Sequence, residues 1–318
     1  MAAEDTSSNI EIHPVLGLDW YPSRWGSADQ RGSGNLLGPE KVLQAAALIK
    51  TGEIVKLGYP YDKNMPMAEG RSFSIRMPGG PTGGPLGSLN RAVHNDDYVA
   101  ADLGQMGTHM DALGHFGCQC GAPGDHRSIL FYNGHSLADI WAPYGLKKLG
   151  IEHAPVFFTR AVFFDVEGLK GRPLDVGEEI AVEDLKACLA RQGMPEDSIS
   201  AGDAVLIRTG HAARFISNQS GFYDGSAGIG LEAAAWLSSQ QPVVIGADNY
   251  AVEVDPNPDP GLKFPCHHHL ITKNGIYLHE NLKLDDLAST DRFEFAYSFV
   301  PLSVVGATGS PGTPIAML

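Results

Sequence analysis

The chain is organised around one stretch that holds two histidines and a carboxylate, Gln105-Met106-Gly107-Thr108-His109-Met110-Asp111-Ala112-Leu113-Gly114-His115. His109 and Asp111 are two residues apart, so on an extended strand both side chains point to the same face. An imidazole nitrogen and a carboxylate oxygen on one face form half of a site for a first-row dication such as zinc or manganese. Gly107 allows a close backbone approach or dihedrals that other residues avoid, and Thr108 can hold a ligand in place by hydrogen bonding.

His115 lies four residues beyond Asp111 and is a candidate for one of two roles. It is either a third metal ligand or a base that faces a metal-activated water. A buried histidine beside an aspartate is also a common structural pair, and the spacing alone does not decide between structure and function.

The motif Gly107-Thr108-His109-x-Asp111-x-x-x-His115 resembles the signature of the metal-dependent cyclase-like hydrolase family, which includes bacterial kynurenine formamidase and isatin hydrolase. A tryptophan, aspartate and glycine pattern near residues 25–35 resembles the opening of that family, as do residues 203–210 and 246–253. The resemblance covers most of residues 20–317 and implies the swivelling β/β/α fold of the family.

Composition restricts the class of protein. The 318 residues carry a net charge of −14, which argues against nucleic acid or an anionic membrane surface as a partner. No stretch approaches ~20 apolar residues and the N-terminus has no signal-peptide pattern, so we expect a cytoplasmic protein that does not span a membrane. The four cysteines are too few for a disulfide scaffold, and we expect Cys118 and Cys120 to be buried small side chains rather than a zinc pair.

Apolar strands alternate with amphipathic helices between residues 161 and 280, a pattern typical of an α/β or α+β unit with a partly parallel sheet. The fold class predicted is α/β (mixed α+β), with a mixed and partly barrel-like sheet flanked by helices. We expect an N-terminal arm over residues 1–18 and one cyclase-like hydrolase domain over residues 19–318.

Residues 60–95 show no periodicity and contain a Gly/Pro-rich run at 79–85, which predicts a long loop. Because this loop directly precedes the motif, we interpret it as a cover over the site. Phe73, Arg76 and Met77 are candidate substrate contacts, as is Trp25 near the N-terminus. Ordinary loop packing is the alternative for each of them.

The second half of the site is expected near Cys266-His267-His268-His269 and Glu280. In the family that the chain resembles, a histidine of this region precedes a metal-centre carboxylate by about a dozen residues. Counting back from Glu280 gives His268, as a ligand or as an acid–base group, although which of the three histidines faces the site is left open.

The chain differs from the family pattern at Gln105, where many members carry a histidine. An amide oxygen is a weaker zinc ligand than imidazole, so one metal per chain is favoured over two. We expect manganese or zinc bound by His109, Asp111 and Glu280, with His268 or Gln105 completing the shell, and His115 or His268 moving a proton.

The resemblance implies a hydrolase that cleaves the C–N or C–O bond of a small amide, formamide, lactam or lactone by a metal-activated water. The alternative is an inactive metal- or small-ligand-binding protein of the same fold. The expected partner is a small-molecule substrate, and the resemblance implies a homodimer or homotetramer.

Overall fold

A computed structural model describes residues 13–17, 19–217 and 219–318. Most of the expected N-terminal arm therefore lies outside the described residues. Its last part, His13–Gly17, forms a tight turn that is closed by a hydrogen bond from the Gly17 N–H to the His13 carbonyl.

The strands of the main sheet and of four small two-stranded sheets are β1 (Ile54–Lys56), β2 (Phe73–Arg76), β3 (Gly83–Leu86), β4 (Ala92–His94), β5 (Tyr98–Ala101), β6 (His109–Asp111), β7 (Cys118–Gln119), β8 (Ile129–Leu130), β9 (Phe157–Asp165), β10 (Glu179–Ile180), β11 (Ala204–Arg208), β12 (Gly228–Ile229), β13 (Val244–Ala247), β14 (Tyr277–Glu280), β15 (Glu294–Phe299), β16 (Gly309–Pro311) and β17 (Ile315–Met317).

The helices are α1 (Pro39–Ala46), α2 (Leu137–Ile140), α3 (Val166–Lys170), α4 (Val182–Arg191), α5 (Ala213–Ser217), α6 (Leu231–Ser239), α7 (Pro265–His267) and α8 (Asp285–Ala288). A π-helical turn, His268–Lys273, continues directly from α7. None of the helices in the described part of the chain is long and apolar enough to cross a membrane.

Nine strands form one curled, mixed sheet in the order β1-β17-β15-β9-β11-β13-β14-β6-β16. The four central strands β9, β11, β13 and β14 are parallel, because helices connect them, and their residues are buried on both faces. The strands toward both ends pair antiparallel. The predicted class, a single mixed α/β unit with a partly barrel-like sheet, is confirmed.

Helices α4 and α6 bury one apolar face each against the central strands, and the largest hydrophobic cluster lies between these layers. A second, smaller cluster lies under residues 59–73 and is rich in aromatic rings. Its buried members include Tyr59, Met106 and Phe222, so it packs against the stretch that leads into β6.

The prediction of a structureless loop over residues 60–95 is wrong in part. The segment carries two antiparallel hairpins, in which β2 pairs with β5 and β3 pairs with β4. Their residues are mostly exposed, including Leu89 and Val93. Local periodicity does not reveal such strands, because their hydrogen bonds join residues that are distant in sequence and neither face is fully buried.

Candidate active site

Strands β6 and β14 pair antiparallel and place the first three polar groups of the site. His109 lies directly opposite Glu280, and Asp111 follows His109 by two residues on the same face. All three side chains are buried, with 1% of the His109 side chain and 6% of the Glu280 side chain exposed. The sheet register therefore brings together an imidazole and two carboxylates that are far apart in sequence.

His267 supplies a second imidazole from the end of α7. Its Nε2 lies 3.3 Å from Glu280 Oε1 and 3.8 Å from Asp111 Oδ2. The Nε2 of His109 lies 3.3 Å from Glu280 Oε2 and 3.6 Å from Asp111 Oδ1. In these four residues, which we call the His/Asp/Glu cluster, each of the two imidazoles thus contacts both carboxylates.

Hydrogen bonds at the outer nitrogens orient both imidazole rings. His109 Nδ1 lies 2.9 Å from the Gly107 carbonyl oxygen, and His267 Nδ1 lies 2.5 Å from Glu253 Oε1. An Nδ1–H that donates to an oxygen leaves the lone pair of Nε2 free, which is the usual arrangement of a metal-binding histidine. Both lone pairs then point into the cluster.

The cluster contains buried polar atoms that the protein does not satisfy. His109 Nε2 and Asp111 Oδ2 form no hydrogen bond of good geometry, although both are inaccessible to water. Buried polar atoms normally have partners, so such an unpaired set needs an explanation. Two imidazole nitrogens and two carboxylates fit a divalent ion of the manganese or zinc type, and Asp111, His267 and Glu280 place their ligand atoms within 4.8 Å of one another.

The pKa shifts describe a pocket that stabilises positive charge. Burial opposes ionisation of Glu280, but its contacts with His109 and His267 lower its pKa to about 2. Burial likewise opposes protonation of His267, but Glu253 and Glu280 raise its pKa to about 10. The pKa of His109 is also raised, by Glu280 and Asp111, against the effect of burial. The carboxylates therefore favour a cation between them, whether it is a proton or a metal ion.

His115 lies at the edge of the cluster. Its Nε2 is 4.0 Å from Asp111 Oδ1, and 23% of its side chain is exposed. Burial lowers its pKa below the usual histidine range, against the attraction of Asp111, so the imidazole is neutral at pH 7. A ring that lies beside the cluster and reaches solvent is placed to act as a base.

Gln105 contacts the cluster through its amide nitrogen. Nε2 donates to Asp111 Oδ1 over 2.9 Å and to the Thr308 carbonyl over 3.4 Å. Both acceptors require the NH₂ group at this position, which turns the amide oxygen away from the cluster. Gln105 thus holds Asp111 in place, and the structure does not support its prediction as a metal ligand.

The prediction of His268 in the cluster is corrected by the structure, which places the neighbouring His267 there. Consecutive residues of a helical turn differ in direction by ~100°, so the ring of His268 lies on another side. It packs against Phe116 and His13, with ring centroids 4.8 and 5.3 Å away. The third histidine, His269, is 2.8 Å from the Ser238 hydroxyl through Nε2.

The four candidate substrate contacts are spread over three places. Phe73 packs near Tyr61 against the aromatic cluster that contains Met106, three residues before His109. Arg76 lies over the Tyr98 ring on an exposed hairpin, and Met77 is 52% exposed beside it. Trp25 lines a separate cavity of about 220 Å³ that no member of the His/Asp/Glu cluster lines. Only Phe73 therefore lies in the aromatic packing next to the motif.

Sequence reasoning missed Glu253, Tyr223 and Arg71. Glu253 lay within a segment that resembles the family, which was the available signal for it. Burial, together with the charge on Glu280, raises the pKa of Tyr223 to about 12, so its phenol is close to the cluster. Arg71 donates to the Gln105 carbonyl, which places a cation beside the residue that contacts Asp111.

A family model described as "Putative cyclase" matches residues 55–254 of the chain. A crystal structure of a novel cyclase aligns with 32% sequence identity and a TM-score of 0.78, and the alignment covers 92% of this chain and 96% of that chain. No curated protein matches the sequence.

Two isatin hydrolases share the fold at lower identity. Isatin hydrolase A from Labrenzia aggregata is 18% identical with a TM-score of 0.60, covering 88% of this chain and 98% of that chain. Isatin hydrolase A from Ralstonia solanacearum is 22% identical with a TM-score of 0.55, and the alignment covers 83% of this chain and 91% of that chain. At these identities the likeness concerns the fold.

Proposed function

The chain belongs to the Cyclase family, and from this we propose that it is a metal-dependent hydrolase that cleaves the C–N or C–O bond of a small amide, formamide, lactam or lactone. The observation that carries the proposal is the His/Asp/Glu cluster, with its two inward imidazole lone pairs and its unsatisfied His109 Nε2 and Asp111 Oδ2.

The ligands would be His109, Asp111, His267 and Glu280, with one divalent ion per chain. A manganese or zinc ion held there would polarise a substrate carbonyl and lower the pKa of a water molecule toward ~7. The absence of thiolates from the cluster leaves manganese and zinc both suitable. Gln105 occupies the position of a further ligand and bonds to Asp111 instead, which supports a single ion.

His115 would act as the base and then as the acid. Its ring is neutral at pH 7 and partly exposed, so it can accept a proton from the attacking water. The same ring can return that proton to the leaving nitrogen or oxygen. Its position at the edge of the cluster, and not between the carboxylates, leaves Nε2 free for this transfer.

The surroundings favour a planar substrate. The aromatic cluster beside β6 includes Tyr61, Phe73 and Tyr223, and the phenol of Tyr223 lies near Glu280. Aromatic side chains pack well against flat, apolar groups. The two isatin hydrolases act, by their names, on isatin, and the shared fold supports a cyclic amide as one member of the test panel.

The test is turnover by protein stripped with a chelator and reloaded with Mn²⁺ or Zn²⁺, on a panel of aryl formamides, lactams and lactones. We expect hydrolysis that disappears with the chelator, returns with the metal and is absent from the Asp111→Asn variant. Asp175→Asn is the matched control, because Asp175 is 85% exposed and pairs with Arg172, away from the cluster. A loaded protein that binds metal and panel compounds without turnover would favour the alternative, an inactive binding protein.

A further inference from the structure

A second group of metal-type ligands lies outside the His/Asp/Glu cluster. His13, Cys118 and His268 place one ligand atom each within 4.8 Å of one another. The Cys120 Sγ lies beside this group of three, 3.4 Å from the Cys118 Sγ. We propose that these two thiols and two imidazoles form a binding site for a thiophilic metal ion such as Zn²⁺ or Cu⁺, separate from the proposed hydrolytic site.

The separation of the two sulfurs matches that of neighbouring ligands in a tetrahedral shell. Zinc binds sulfur at ~2.3 Å and imidazole nitrogen at ~2.0 Å, so neighbouring ligand atoms of a tetrahedron are ~3.3–3.8 Å apart. The two sulfurs are already at 3.4 Å, and this distance is far longer than the ~2.05 Å of a disulfide, so both are free thiols. Movement of the two imidazoles and of the Cys120 thiol toward one point would complete the shell.

The strand pairing explains why the two thiols stay together. Cys118 begins β7, which pairs with β8, and Cys118 lies opposite Leu130. Cys118 is buried and Cys120 is partly exposed, so a metal ion can enter from the Cys120 side. The spacing of two residues is too short for a zinc pair by itself, but the two imidazoles supply the other half of the shell from elsewhere in the chain.

His268 places a ring nitrogen near His13 and Cys118 and not in the His/Asp/Glu cluster. Its ring contacts those of Phe116 and His13 and lies near the backbone of Gly117. Phe116 separates the two sites, because its ring contacts His267 on one side and His268 on the other, at 4.9 and 4.8 Å. The adjacent residues His267 and His268 thus belong to two different groups, the His/Asp/Glu cluster and the proposed thiol site.

His13 is the weakest of the four ligands. Its Nδ1 accepts hydrogen bonds from the N–H groups of Val15 and Leu16, over 3.2 and 3.1 Å. Coordination through Nε2 moves the ring proton to Nδ1 and breaks those two long bonds. We therefore expect loss of His13 to weaken binding less than loss of Cys118 or His268.

The other two cysteines lack this environment and serve as controls. Cys188 is buried in α4 with its Sγ 2.9 Å from the Gln192 side-chain oxygen. Cys266 has its Sγ 3.6 Å from the Ile229 carbonyl. Neither belongs to a metal-type group found among the described residues.

The test is a Co²⁺ titration of the full-length, reduced, metal-free protein without oxygen. Sulfur is absent from the proposed hydrolytic site, so a thiolate-to-cobalt charge-transfer band reports the second site alone. We expect one equivalent of thiolate-bound cobalt, displaced by Zn²⁺. The band should persist in Cys188→Ser and in Asp111→Asn, be lost in Cys118→Ser, and weaken in Cys120→Ser.

A second variant covers the case in which Cys118→Ser fails to fold. His268→Gln keeps both thiols, and we expect it to bind Co²⁺ at least tenfold more weakly than the parent. A parent protein without the charge-transfer band would overturn the proposal. So would an unchanged band in a folded Cys118→Ser protein, or unchanged cobalt affinity in His268→Gln. None of these results depends on hydrolytic activity, so the two proposals fail separately.

Discussion

Glu253 is fully buried, and its two carboxylate oxygens accept three hydrogen bonds from residues of α7. Oε1 accepts from the N–H and from Nδ1 of His267, over 2.9 and 2.5 Å, and Oε2 accepts from the N–H of Cys266 over 2.9 Å. This one carboxylate therefore fixes both the backbone and the ring of His267. It touches none of the other members of the cluster, so it is a positioning residue.

Replacing Glu253 with glutamine should weaken metal binding. The amide can accept fewer of the three hydrogen bonds and no longer stabilises the polarised imidazole, so we expect Mn²⁺ or Zn²⁺ to bind about 10–100-fold more weakly. Competition with a chromophoric chelator measures this affinity. Glu196→Gln is the matched control, since Glu196 is 67% exposed and pairs with Lys186. Equal metal affinity in the two variants would show that Glu253 does not position His267 for metal binding.

The role of His115 is tested by glutamine at that position. If His115 is a base and not a ligand, His115→Gln keeps the metal ion and loses about 10²–10⁴-fold in kcat. Metal content and turnover, measured on the same preparation, separate the two functions. A variant that no longer retains metal would show that His115 is a ligand.

At the scale of the element, the approach to β6 depends on a left-handed residue. Gly107 has φ +54°, and a Cβ there would lie 2.8 Å from a ring carbon of Tyr61. The Tyr61 hydroxyl donates to the Thr108 carbonyl and accepts from the Gly312 N–H, while the Thr108 hydroxyl donates to the Asn281 carbonyl over 2.7 Å. These bonds join the start of β6 to the end of β14 and so set the register of His109 against Glu280.

Gly107→Ala should destabilise the protein by more than the left-handed backbone alone accounts for. Strain at φ > 0 costs about 1–2 kcal/mol, and displacement of Tyr61 adds to it. Gly52→Ala isolates the first cost, because Gly52 has φ +79° with no atom within 4 Å of the added Cβ. Urea unfolding of both variants measures the difference, and equal losses of unfolding free energy would contradict the packing argument.

At the scale of the whole molecule, buried neutral histidines make stability depend on pH. Burial lowers the pKa of His211 to about 4, and its Nε2 donates to the Phe222 carbonyl over 3.0 Å. The unfolded chain binds a proton at this residue below pH ~6.5, whereas the folded chain does so only below about 4. The free energy of unfolding therefore falls as the pH drops from 6.5 to 4, by about 1.4 kcal/mol per pH unit for this residue.

His211→Gln keeps an N–H donor but does not titrate. Between pH 6.5 and 4, we expect the unfolding free energy to change less steeply with pH in this variant than in the parent. The difference in slope should correspond to about one bound proton, about 1.4 kcal/mol per pH unit. A chelator present throughout prevents metal loss from contributing to the slope. Parallel slopes in the two proteins would show that His211 is not held neutral in the folded state.

The sequence predicted those parts of the fold and site that follow from local periodicity. Alternating strands and helices indicated one mixed α/β unit, which the structure confirms. The two-residue spacing of His109 and Asp111 predicted a shared face, and the resemblance directed attention to Glu280. The strand pairing places all three together.

The parts that sequence reasoning missed depend on contacts between distant segments. A count of twelve residues locates His268 along the chain but not the rotation of the helical turn that directs His267 inward. The hairpins β2–β5 and β3–β4 form through cross-strand pairing, which leaves no period of its own. Gln105 was expected to offer an oxygen, but its donor role depends on Asp111 and Thr308 as neighbours. The homodimer or homotetramer stays a prediction.

The central claim is that His109, Asp111, His267 and Glu280 hold one divalent metal ion. Anomalous diffraction at the manganese edge, from crystals of protein reloaded with Mn²⁺, tests it most directly. Manganese prefers oxygen and imidazole ligands, so the thiol site does not compete for it. We expect one strong peak per chain at coordination distance from these four side chains. A map with no peak there, or with its peak elsewhere, would contradict the account.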